Sequence, residues 1–104
     1  MLTAHAAEST SEVAEILKEV KELLQDRFDT VPFHPAVRPD EVGVNLRRYI
    51  CELSLLALHT MIEVMRARPN HEDTSREVVV LVMEDLGIKG RFPLNDVLDD
   101  VRYR

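Results

Sequence analysis

VGVNLRRYICELSLLALHTMIEVM, residues 42–65, is the stretch whose reading decides the fold. Spread at about 100° per residue, Val42, Leu46, Tyr49, Ile50, Leu53, Ala57, Leu58, Met61, Ile62, Val64 and Met65 cover most of a helix perimeter. Asn45, Arg48, Glu52, His59, Glu63 and Arg66 fall together in one sector of roughly 60°. A helix apolar on so many sides has to be wrapped by protein, so it is the expected core element. Its narrow polar seam is where chemistry could sit.

The flanks fix the limits of this helix. The helix is expected to begin near Pro39-Asp40-Glu41, whose carboxylates suit an N-terminus, and to end at Arg66 to Arg68, whose cations suit a C-terminus, before Pro69 stops it. Upstream, Asp29 to Asp40 cannot be helix, because Pro32, Pro35 and Pro39 break it. Extended at about 3.1 Å per residue, this connection reaches roughly 35 Å, enough to join its neighbours parallel or antiparallel. Val31, Phe33 and Val37 suggest that it packs across the bundle.

Before it, Val13, Ile16, Leu17, Val20, Leu23, Leu24 and Phe28 form a regular three-four stripe, which predicts a first helix over Glu12 to Phe28. Ser9 with Glu12 fits a capping box, leaving residues 1–10 as a frayed N-terminus. Downstream, Val78 to Val82 is a β-branched run that would suit a buried strand. Thr74 and Glu77, however, make a capping box, and Gly87 before apolar Ile88 stands where a helix is closed. Helix is therefore expected over Thr74 to Leu86; a strand there would need exchange across a dimer axis. Phe92-Pro93 opens a last short helix bearing Leu94, Val97, Leu98 and Val101 on one side.

The chain has 104 residues, 45% hydrophobic and 31% charged, which fits one soluble globular domain. Together these readings give an all-α fold, a small bundle of three long helices plus a short C-terminal one. Cys51 is the single cysteine, which excludes an internal disulfide, suggests a reducing compartment and reads as inert packing on an apolar face. A net charge of −6 argues against sequence-independent nucleic-acid binding and against anionic membrane surfaces. Glu52 and Glu63 interrupt the best apolar run, so no transmembrane span is expected. Met1 to Thr10 lacks the basic start and apolar run of a signal peptide, and a cytoplasmic location is the expectation.

Three features could carry chemistry. In the seam, His59 and Glu63 stand four apart and can meet on one face, as a transition metal would require. Glu52 lies about 10 Å further along, so it joins them only through a second helix. The same residues also read as a neutralised strip of Arg48–Glu52, His59–Glu63 and Glu63–Arg66 pairs, each worth about 0.2–0.5 kcal/mol. On the first helix, Glu8, Glu12, Glu15, Glu19, Glu22 and Asp26 recur at 4-3-4-3-4 spacing. Such a stripe is a solvated face, or it meets a basic strip on the second helix or on a partner chain: Arg47, Arg48, Arg66 and Arg68.

The third feature is Arg66-x4-His71, a spacing that resembles the Arg-x4–6-His motif of HEPN ribonucleases, themselves small helical bundles that dimerise. That resemblance implies RNA cleavage by Arg66 and His71. The chain departs from it at Pro69, which separates two residues that the family keeps near one helix.

The sequence thus points to a non-catalytic assembly or adaptor module acting through protein–protein contacts. Helices 2 and 3 expose more apolar perimeter than helices 1 and 4 can cover, so a homodimer or another protein partner is expected, with no cofactor. Glu12, Glu15, Glu19, Glu22, Arg47, Arg48 and Arg66 are the candidate interaction residues. The alternative is a metal-binding bundle that holds a divalent transition metal with His59, Glu63 and Glu52.

Overall fold

In the computed structural model, the backbone is described for residues 4–28 and 42–103, and side-chain surroundings for 11–27 and 51–103. The expected connection over 29–40 lies outside the described residues. Four helices follow in order: α1 (Ala4–Phe28), α2 (Val42–Arg66), α3 (Arg76–Asp85) and α4 (Leu94–Tyr103), with a 3-10 turn at His71–Asp73. There is no strand among the described residues, and the fold is all-α.

The first helix starts at Ala4, eight residues before the expected Glu12. Ala4, Ala6, Ala7 and Glu8 are good helix formers, so Ser9 and Thr10 ride inside the helix instead of capping it.

The valine run folds as helix α3. Ser75, not Thr74, is its cap, and the Ser75 hydroxyl accepts from the Val78 backbone N–H at 3.2 Å. β-branched residues are mediocre helix formers, so burial decides here: Val78, Val79, Val82 and Met83 face the core at 2% exposure or less. At the other end, Ile88 N–H donates to the Met83 carbonyl and Gly87 N–H to that of Glu84. This is the Schellman closure, and it needs the left-handed φ of +72° that Gly87 adopts.

Polar contacts show how the helices lie. Arg27, in the last turn of α1, reaches Thr60 and Glu63 in α2, while Arg68, just past α2, reaches back to Glu12 and Glu15. The two helices are therefore antiparallel, and α1 ends level with the second half of α2. Arg66 meets the Asp100 and Val101 carbonyls near the end of α4. Phe92, just before α4, borders a groove with Cys51 and Leu55. So α4 runs parallel to α2. Lys21 and Asp85, 2.8 Å apart, tie α1 to α3.

The core sits among these elements. Ile16 and Val20 come from α1, and Ala57, Leu58, Met61, Val64 and Met65 from α2. Val78, Val79, Val82 and Met83 come from α3, Ile88 from the turn after it, and Val97, Leu98 and Val101 from α4. Among the described residues of α2, from Cys51 onward, burial sets in at Ala57. From Cys51 to Leu56 every residue keeps some exposure. Cys51 is exposed, which corrects the expectation of a packed thiol: α1 ends before it can cover that turn.

Candidate functional site

Only the part of the α2 seam from Glu52 onward has described side chains. His59 and Glu63 are exposed and Glu52 is half-buried. Glu63 turns across to α1, where its two carboxylate oxygens accept from Arg27 Nη1 at 2.8 Å and Nη2 at 3.2 Å. Arg27 Nη1 also donates to the fully buried Thr60 hydroxyl at 3.1 Å. The bidentate pair gives the contact a fixed geometry. Hydrogen bonding from Arg27 and its positive charge lower the Glu63 carboxyl below its ordinary range. Its counterpart, the Arg27 guanidinium, is raised by the same hydrogen bond.

Glu63 is thus held by a residue of another helix, and it forms no ion pair with His59. No three His, Cys, Asp or Glu side chains among the described residues are grouped as a metal would require. Among the seam residues, Arg48 has side-chain surroundings outside the described residues, as has Arg47.

Arg66 does not pair with Glu63 either. It donates to the carbonyls of Asp100 at 2.8 Å and Val101 at 3.3 Å, in the last turn of α4. A cation there also meets the negative end of the helix dipole. His71 Nδ1 lies 3.3 Å from the Arg68 carbonyl and 3.4 Å from a Glu72 oxygen, both acceptors. The two residues of the Arg-x4-His spacing are thus engaged with different elements.

The acidic stripe on α1 divides in two. Glu15 accepts from Arg68 Nη2 at 3.0 Å, and Glu12 stands 3.8 Å from Arg68 Nε. Glu19 and Glu22 are exposed and enter no ion pair among the described residues. Arg27 was the residue that periodicity did not single out. Its signal was a cation in the last turn of the first helix, which helix electrostatics favour without naming a distant partner.

Two open grooves lie among the described residues. One, of about 430 Å³, is lined by Cys51, Ser54 and Leu55 of α2 with Arg91 and Phe92. The other, of about 500 Å³, lies between α1 and α3 and is lined by Val13, Leu17, Leu81, Glu84 and Asp85. No described helix is long and apolar enough to cross a membrane. Comparison with family models, with characterised proteins and with solved structures finds no match to this chain.

Proposed function

We propose that this chain is a non-catalytic helical assembly or adaptor module that works through protein–protein contacts and is itself a homodimer. One observation carries the reading: α2 buries Met61 and Met65 completely yet leaves Leu55 45% exposed two turns earlier. Apolar surface rimmed by polar groups is where proteins meet partners. Leu81, 36% exposed beside the α1–α3 groove, adds a second apolar edge.

Charge supplies selectivity in this reading. Glu19 and Glu22 give α1 an exposed acidic edge that repels acidic partners and speeds the approach of basic ones. The exposed Cys51 thiol suits a reducing, cytoplasmic setting. Light scattering on the purified chain at micromolar concentration tests the proposal. The expected result is twice the mass of one chain; a monomer throughout that range removes the homodimer.

A further inference from the structure

The groove between α1 and α3, of about 500 Å³, has walls of opposite charge. Lys21 and Asp85 bridge the two helices at 2.8 Å, and four residues earlier on each helix Leu17 and Leu81 line the groove. The two helices therefore run parallel here. Val13 and Leu17 are half-buried on the α1 side, and Leu81 is 36% exposed on the α3 side. Helix spacing sets Ala14, Lys18 and Lys21, all exposed, along the outer edge of the α1 wall. Glu77, Glu84 and Asp85, also exposed, stand one turn to either side of Leu81 on the α3 edge. Lys21 is paired with Asp85, and Glu84 with Lys89. Lys18 and Glu77 enter no ion pair among the described residues.

Resting on the adaptor reading, we propose that this groove takes a single amphipathic helix of another protein, one with an apolar ridge, an acidic flank and a basic flank. Shape and charge together select this occupant. The groove is concave, and a lone helix supplies the ridge that fills it, with anchors one turn apart. The ten residues of α3 run about 15 Å, room for nearly three turns of such a helix. A second copy of this chain offers the same concavity, and two facing hollows would leave space between them, against the close packing of stable interfaces.

A uniformly basic helix would confront Lys18 and Lys21, and a uniformly acidic one would confront Glu77 and Glu84. An occupant carrying both signs meets opposite charge on both walls, and only one of its two directions along the groove allows this. The walls thus set the polarity of the bound helix as well as its chemistry.

Fluorescence anisotropy on the full chain tests this with three labelled synthetic helices. They share a leucine ridge and differ in their flanks: Lys on one side and Glu on the other, Lys on both, or Glu on both. The mixed-flank helix should bind tightest. Leu81→Asp should weaken its binding by about tenfold or more, whereas Leu55→Asp, outside the groove, should leave it unchanged. Lys18→Glu should move the preference towards the all-Lys helix, because it makes the α1 wall more acidic. If Leu81→Asp unfolds the chain, Leu81→Ala gives the second readout, a smaller loss of affinity for the same helix. Equal binding of the three helices, binding of none, or a mixed-flank helix indifferent to Leu81 overturns the inference and leaves the homodimer, read by light scattering, standing. A wild-type dimer that Leu81→Asp turns into monomers overturns it as well, since a second copy then fills the groove. A monomeric wild-type chain that still prefers the mixed-flank helix removes the homodimer and keeps the groove.

Discussion

Arg27 joins two helices through a single guanidinium, and it does so with a carboxylate, Glu63, that local spacing assigned to His59. The i,i+4 rule identifies who can meet along one helix. It is silent on a competitor arriving from another helix, 36 positions away in sequence. That is why the seam's location was legible and its partner was not. The sign of the acid dependence follows from the lowered Glu63 carboxyl. Its contribution is fully present above the ordinary carboxylate pKa and disappears as pH falls through the depressed folded value. Urea midpoints measured against pH should therefore separate wild type from Glu63→Gln at neutral pH and converge in acid. The effect will be modest, because both groups are partly in water. Core residues behave differently. Met61 is wholly buried, so Met61→Ala should cost about 2–5 kcal/mol by denaturant titration. Leu55→Ala, at a side chain 45% exposed, should cost far less, and if the proposed assembly holds it should also weaken self-association.

Element ends were the most readable part of this sequence where glycine or proline punctuated them. Gly87 followed by Ile88 outweighed five consecutive aliphatic residues, because helix closure needs one left-handed residue and one apolar residue at fixed offsets. A Cβ built on Gly87 meets nothing within 4 Å, so Gly87→Ala tests backbone conformation alone. The expected loss is about 1–2 kcal/mol, read from the thermal or denaturant midpoint. The start of α1 was less legible: Ser9 carries a capping signature, but a cap forms only if the chain before it leaves the helix, and the alanines there do not. Arg66 shows a further limit. A cation closing its own helix and a cation closing another helix look alike in sequence. Arg66→Met, which removes the donors to Asp100 and Val101, should speed amide exchange in the last turn of α4 while leaving α3 unchanged.

At the scale of the molecule, a dimension of 56 Å exceeds the roughly 37 Å of a 25-residue helix, in keeping with the stagger between α1 and α2. Apolar stripes specify which faces meet and leave free how far two helices slide along each other. A connection able to span either direction leaves even their polarity open. Here the long-range pairs Arg27–Glu63 and Arg68–Glu15 accompany that choice. Being exposed, they are screened by salt, so raising ionic strength should lower the melting temperature slightly.

The uneven origin of the core has a consequence for how the protein opens. Of the buried apolar side chains among the described residues, α1 supplies Ile16 and Val20, with Val13, Leu17, Leu23 and Leu24 only partly buried against the core; the rest come from residues 57–101. The C-terminal portion is stitched together by contacts between near neighbours in the chain, whereas α1 is gathered in from a distance. Segments with few enclosed contacts detach at the lowest free energy. The first excursion from the native state should then be α1 swinging away as a unit, and its amides should exchange before those of α3. Such a half-open form uncovers Met61 and Met65, and at high concentration it is the species most prone to trade its first helix with a neighbour.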